Sequence, residues 1–174
     1  MSAEAVATPS FEQLYAEYAT FTWRVLQHLG VPDASIEDAV QELWVVVHRR
    51  IAGFEGRSEL RSWLFGIAIN IARTQRRSQQ RRQKNERGRV LGEPWAMRID
   101  PHEGERQREA FDLVQRFLST LDDERRAIFV SVLLEGMSTP ETALSVGLRV
   151  DQIQNRVRAL RRSFKTWLEH QRPQ

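Results

Sequence analysis

The chain has 174 residues, 41% hydrophobic and 28% charged, with a formal net charge of +3 and no cysteine. That composition supports a packed core and excludes global disorder, a disulfide framework and thiolate metal sites. No apolar run approaches the ~20 residues of a membrane span, and the first ten residues lack the basic start and apolar core of a signal peptide, so a cytoplasmic protein is expected.

No stretch alternates as a strand does, and helical periodicity recurs along the chain. Ser10 and Gln13 have the spacing of a capping box at the start of a first helix. Its apolar residues Phe11, Leu14, Tyr15, Tyr18, Phe21, Val25 and Leu29 recur every three or four positions, and Gly30 and Pro32 stop it. Ser35 is placed to cap a second helix. Ile36, Ala39, Val40, Leu43, Val47 and Ile51 form its inner stripe, while Asp38, Gln41, Glu42, Val45 and Arg49 lie on the other side. From Met1 to His48 the acids Glu4, Glu12, Glu17, Asp33, Glu37, Asp38 and Glu42 stand against the single base Arg24. An acidic head of this kind suits a protein partner. Asp38 and Glu42 lie one turn apart, as paired carboxylates do. No third ligand type lies near them, so a docking face or a solvated face fits better than acid-base chemistry.

Phe54 lies in a loop between Gly53 and Gly56, and Ser58 opens a third helix. Trp63, Leu64, Ile67, Ala68 and Ile71 form one stripe; Phe65 and Ile69 form a second on the opposite side. A helix apolar on both sides needs two contacts, which are here the core and a partner. Towards its end Asn70, Arg73, Thr74, Gln75, Arg76 and Arg77 turn the helix polar and basic. Aromatics beside bases, as in Phe54, Trp63, Phe65, Asn70 and Arg73, suit unstacked single-stranded bases, although Trp63 equally suits a core position.

Between Ser78 and Arg108 the periodicity fades, and Gly88, Gly92, Pro94, Pro101 and Gly104 punctuate a polar, basic stretch. A flexible linker over 78–107 is predicted, with Trp95 as a packing anchor or a docking group. Roughly thirty residues reach about 100 Å when stretched and nearer ~30 Å as coil.

Phe111, Val114, Phe117, Leu118 and Leu121 mark a fourth helix. Asp122 is placed to cap a fifth, in which Ile128, Phe129, Val132 and Leu133 repeat until Gly136. Ser138 with Glu141 has capping-box spacing, and Pro140 falls in the tolerated first turn. This short helix ends at Gly147, and a strongly basic helix follows. Its Ile153, Val157, Leu160, Phe164 and Trp167 face inward, leaving Gln154, Asn155, Arg158 and Arg162 outward. Helix, glycine turn and basic helix form the plan of a helix-turn-helix that enters a DNA major groove. Its amides can pair with adenine, and its arginines with guanine or phosphate. An ordinary basic surface helix is the alternative. The whole reads as an all-α chain of two small helical domains, 10–77 and 108–172, joined by a flexible linker. His28, His48, His102 and His170 are scattered. HExxH, GxSxG, Walker and GxGxxG patterns are absent, so no catalytic residue, metal, cofactor or small-molecule substrate is expected.

Taken in order, Glu37-Asp38-Ala39-Val40-Gln41-Glu42, the run from Phe54-Glu55-Gly56-Arg57-Ser58 through Trp63-Leu64-Phe65-Gly66-Ile67-Ala68-Ile69-Asn70, Leu121-Asp122-Asp123-Glu124-Arg125-Arg126 and the helix-turn-helix resemble the small extracytoplasmic-function sigma factors of bacterial RNA polymerase. The likeness extends from Phe11 to Trp167. It implies a non-enzymatic factor that binds core RNA polymerase and promoter DNA and directs promoter-specific initiation under an anti-sigma factor, soluble or membrane-anchored. By the same resemblance, Asp38, Gln41, Glu42 and Val45 dock on the clamp helices of the largest polymerase subunit. Phe54, Arg57, Ser58, Arg61, Trp63 and Asn70 meet the flipped, single-stranded minus-ten element, and Arg73, Arg76 and Arg77 hold its backbone. The linker threads towards the active-site cleft. The C-terminal domain sits on the flap of the other large subunit, where Gln152, Gln154, Asn155, Arg158, Arg161 and Arg162 meet the minus-thirty-five element. Two elements about two helical turns apart are ~70 Å distant, within reach of a stretched linker.

The sequence departs from the family pattern at several positions. Gly66 and Ile69 stand where basic residues are frequent, Thr74 replaces a common Asp, and Ala159 a frequent Arg. Thr142 and Ser145 occupy usually apolar positions and Leu144 a usually polar one, which predicts a rotated or loosely packed scaffold helix. Arg149 replaces the usual Ser or Thr cap of the last helix, which predicts that Asp151 takes over the cap.

Overall fold

The Gln13 amide donates to Ser10 Oγ (3.2 Å) and the Ser10 amide to Gln13 Oε1 (2.9 Å), the reciprocal cap that starts helix α1, Phe11–His28. The computed structural model describes residues 9–54, 56, 59–85 and 105–171, and all regular structure among them is helical. Arg57, Ser58, Trp95 and Met97 lie outside the described residues. Gly30 ends α1 with φ +84°, a left-handed turn in which a Cβ would collide with Arg126 Nη1.

Helix α2 spans Ile36–Arg50. Ser35 does not cap it with its side chain. A 3-10 turn, Asp33–Ser35, leads in instead, with the Ile36 amide donating to Asp33 O. The chain is already wound at Ser35, whose ψ is 0° rather than the extended value a cap needs.

Helix α3 runs from Leu60 to Asn85, eight residues past the predicted linker boundary at 77. Helix α4, Glu105–Ser119, begins before 108. The expected linker is therefore helical at both ends. Apolar periodicity reports burial rather than helix formation, and Arg, Gln and Lys are good helix formers even where nothing is buried.

α1, α2 and α3 pack on one another through Leu14, Val25, Leu26, Leu43, Val47 and Leu64, all buried. The second group of helices is built around Phe117 of α4. Its ring lies 5.1 Å from Phe129, 4.8 Å from Phe164 and 5.5 Å from Trp167. Asp122 caps α5, Asp123–Ile128, through the Arg125 amide. The helix does not continue regularly to Gly136 as its apolar repeat predicts. It widens into a π turn over Phe129–Leu134, and the Glu135 amide donates to Val130 O. One residue more per turn carries Glu135 to the side facing α1 and α3.

α6, Thr139–Val146, has the predicted Ser138–Glu141 capping box and ends at Gly147 with φ +76°. α7, Val150–Gln171, follows. The predicted rotation of α6 does not occur. Thr142 is fully buried and its hydroxyl bonds Ser131 Oγ (3.2 Å), while Ser145 Oγ donates to Ser62 O (2.9 Å) on α3. Polar residues face inward because polar partners meet them there, and Leu144 is left 68% exposed. Asp151 does not cap α7. It pairs with the Arg149 guanidinium, and the Arg149 amide donates instead to Gln152 Oε1 (3.1 Å).

The two apolar stripes of α3 are buried except at Trp63, which stays partly accessible. Leu64, Ile67, Ala68 and Ile71 are covered, and so are Phe65 and Ile69 on the other side. α6 packs directly against α3, with Gly66 beside the Ser145 backbone. The second partner that the double stripe requires is thus found within the chain. No helix among the described residues is long and apolar enough to cross a membrane.

Candidate functional site

On α2, burial of Ala39, Leu43 and Val47 turns Asp38, Gln41, Glu42 and Val45 outward, all exposed. The i, i+3, i+4, i+7 spacing puts them on one face. Glu42 Oε2 accepts a long bond from Gln75 Nε2 (3.4 Å) of α3. Beside this face a groove of about 640 Å³ opens between α1 and α2, lined by Tyr15, Trp23, Val40, Gln41, Trp44 and Val45. Tyr15 and Val45 are exposed large apolar residues on its wall.

Phe54 packs its ring 5.3 Å from Trp63, and both remain partly accessible. Further along α3, Asn70 and Arg77 are exposed and Arg73 is half-buried. The Asn70 carbonyl accepts from Thr74 Oγ1 (3.0 Å), so Thr74 is spent on its own helix. Trp63 and the Asn70–Arg73–Arg77 face therefore share one helix, and Phe54 is packed on it from the preceding loop. Stacking surface and phosphate-neutralising charge are supplied together.

On α7, burial of Ile153, Val157 and Leu160 fixes the rotation. Gln152, Gln154, Asn155, Arg158, Arg161 and Arg162 are all exposed. Asn155 Oδ1 and Arg158 Nη1 touch at 3.5 Å, and Gln152 holds the Arg149 amide. The left-handed turn at Gly147 sets α7 across α6 in the helix-turn-helix manner. The Arg156 guanidinium points back to Glu124 (2.9 Å) of α5 and braces the motif.

Two predicted residues are engaged by acids of the C-terminal helices. Arg61 Nη2 donates to Glu135 Oε2 (2.9 Å) and its guanidinium lies 4.8 Å over the Phe21 ring. Arg76 is paired with Asp123 at the start of α5. Both contacts join α3 to the C-terminal helices.

Glu135 is the centre of this junction. Its side chain is 2% exposed, and Arg24 grips it with Nε on Oε1 (2.9 Å) and Nη2 on Oε2 (2.7 Å). Burial alone raises the carboxyl, but the hydrogen bonds and charge of Arg24 and the hydrogen bond of Arg61 hold it below its ordinary value. His28 Nδ1 lies 3.9 Å from the same carboxylate, without a hydrogen-bond partner, and the His28 ring sits 5.5 Å from Phe111. Burial, aided by Arg24 and opposed by Glu135, pushes this imidazole down to about 4, so it is neutral at pH 7.

Sequence reasoning missed Arg24, Glu135, Arg126 and Ser145. Arg24 carried a signal, as the one base of the acidic head. Glu135 is the one charged residue between Phe129 and Met137. Their meeting spans 111 positions, which no local pattern reports.

Among the described residues no cluster of His, Cys, Asp and Glu is placed to hold a metal ion. The geometry offers three binding faces: an outward acidic and apolar face on α2, an aromatic and basic face on α3, and an amide and guanidinium face on α7.

Residues 14–82 match the Sigma-70 region 2 family. The chain is 30% identical over 165 residues to the ECF RNA polymerase sigma factor SigL of Mycobacterium tuberculosis, covering 91% of each. It is 28% identical to the RNA polymerase sigma factor CnrH of Cupriavidus metallidurans, over 92% of this chain and 87% of CnrH. Its fold is similar to that of the sigma factor RpoE solved with the anti-sigma factor NepR from Bartonella quintana, at TM-score 0.75 and 22% identity over 93% of this chain and 98% of RpoE.

Proposed function

The chain belongs to the ECF sigma factors of RNA polymerase, and from that membership we propose how its faces divide the work of promoter-specific initiation. The α2 face of Asp38, Gln41, Glu42 and Val45, with the aromatic groove beside it, docks on core polymerase. The Phe54–Trp63 pair, Asn70, Arg73 and Arg77 receive the unstacked minus-ten strand, with Arg57, Ser58, Arg61 and Arg76 completing that surface. α7 reads the minus-thirty-five element. On this reading residues 10–77 form the melting domain and 108–172 the upstream reader, working in the cytoplasm by binding and positioning rather than by covalent chemistry.

One observation carries the reading. The six amide and guanidinium side chains on α7 are exposed together, on a helix set by a glycine turn, in a chain whose second helix exposes its partner-facing side chains as a single stripe. The relation of RpoE to NepR supports the further reading that this chain too is held by an anti-sigma factor.

The test is run-off transcription on genomic fragments of the native host, with core polymerase alone and with the purified chain added. Promoter-specific transcripts that depend on the chain are expected. A transcript pattern unchanged by the chain on every fragment removes the proposal.

A further inference from the structure

We infer that Glu135 is an intramolecular stand-in for a DNA phosphate, and that by occupying Arg24 and Arg61 it latches the C-terminal helices over part of the nucleic-acid face of α3. The inference rests on the minus-ten reading of α3 proposed above and adds to it a closed state with a specific lock.

Glu135 binds Arg24 through both carboxylate oxygens and both edges of the guanidinium fork, the arrangement in which arginine also holds a phosphate. A second guanidinium, Arg61, closes on Oε2. The carboxylate is buried, whereas the Arg24 and Arg61 side chains are 45% and 41% exposed. The arginines thus keep a solvated flank, and the acid is enclosed only while the two groups of helices are together. Separation returns the carboxylate to water and frees two cations at the edge of α3.

Neighbouring contacts act in the same direction. Asp123 holds Arg76, a second acidic side chain on a predicted phosphate-binding arginine. Ser145 Oγ bonds Ser62 O, and the Gly66 backbone lies against α6. Two acids of the C-terminal helices therefore compete with DNA for arginines of the N-terminal ones, and the competition ends when the junction opens. Position 135 directly follows the π turn that widens the helix, and it is from there that it meets these arginines.

The experiment uses the full chain and fluorescence anisotropy with a mixed-sequence, single-stranded 20-mer DNA. Glu135→Gln is expected to bind about tenfold more tightly than wild type, as loss of a charge-assisted pair implies, and to show a steeper salt dependence. Equal affinity and equal salt slope overturn the latch. A second arm does not depend on how Glu135→Gln folds. The chain has no cysteine, and a Cβ at Gly66 lies 4.0 Å from Ser145 Cα, so Gly66→Cys with Ser145→Cys can be bridged. Oxidation is expected to weaken DNA binding at least tenfold, and reduction to restore it; indifference to the bridge overturns the proposal. Arg61→Ala in polymerase-dependent transcription separates the two readings. If it lowers promoter output while both latch arms are flat, the minus-ten reading stands and the latch alone fails. If it changes nothing and the chain gives no promoter output, both fall.

Discussion

Arg126 donates from Nη1 to the carbonyl oxygen of Leu29, 3.3 Å away and 97 positions earlier in the chain. Its Nε and Nη2 bond Leu118 O at 3.0 and 2.8 Å, and Nη2 reaches Leu121 O at 3.3 Å. One buried guanidinium thereby supplies donors to the Leu29 and Leu121 carbonyls beyond the ends of α1 and α4, and adds to the Leu121 amide that already bonds Leu118 O. Burial, with repulsion from Arg76, lowers it to about 10, so it stays charged at pH 7. Arg126→Leu is expected to destabilise the fold by about 3–5 kcal/mol, since it orphans buried acceptors in both groups of helices. Urea unfolding at pH 7 measures this; a loss below about 1 kcal/mol contradicts it.

Position 66 tests how closely α3 and α6 meet. A Cβ there falls 3.9 Å from Ser145 O, an ordinary contact. Gly66→Ala should therefore be tolerated and gain up to about 1 kcal/mol from helix propensity. Gly66→Arg places a long charged side chain at the contact between α3 and α6. It should enlarge the radius of gyration seen by small-angle scattering and leave the helix content unchanged.

The register of α6 predicts opposite outcomes for two neighbouring lysines. Leu144→Lys, on an exposed site, should alter stability by less than about 0.5 kcal/mol. Thr142→Lys buries a charge beside Ser131 and should prevent stable folding or cost more than about 4 kcal/mol. Similar thermal midpoints for the two variants would falsify the register.

His28 gives the fold a pH dependence of defined sign. Its folded value of about 4 lies below the ~6.5 of an unfolded histidine. The unfolded chain therefore binds the proton first. Stability is intact above pH 6.5, falls as pH drops through the interval to about 4, and levels off below it. The loss at pH 5 relative to pH 7.5 should be about 2 kcal/mol. His28→Gln should flatten that interval in urea titrations. Glu135, held below its ordinary value, adds its own loss only at the acidic end, as its carboxylate is protonated.

Asn70 and Asp38 separate opening from docking. Both are exposed, so neither substitution should disturb the fold. Asn70→Ala is expected to reduce promoter opening, read by permanganate reactivity, at least tenfold more than it reduces affinity for core polymerase. Asp38→Lys should show the reverse pattern. Equal losses on both assays for either variant count against the proposed division.

Much of the fold was legible because its signals are local. The caps at Ser10, Asp122 and Ser138 and the outward set on α7 follow from spacing along the chain. The double stripe of α3 even announced a second packing partner without naming it. What stayed hidden depends on distant pairs. Thr142 and Ser145 looked misplaced until Ser131 and Ser62 supplied their partners. The engagement of Arg61 by Glu135 joins positions 74 apart, and the π turn that permits it has no composition of its own. The continuation of α3 to Asn85 was missed because a helix with no apolar face leaves no periodic mark.

That continuation also shortens the leash between the two halves of the molecule. Residues 86–104 are all that separate Asn85 from Glu105, so the ends of α3 and α4 can part by at most about 65 Å. A linker of thirty residues would allow about 100 Å. The eight residues of α3 beyond 77 replace slack with about 12 Å of helix that moves with the N-terminal helices. On the proposed reading of two DNA elements ~70 Å apart, helix and leash together act as a ruler: they cap from above the spacing that a promoter can present.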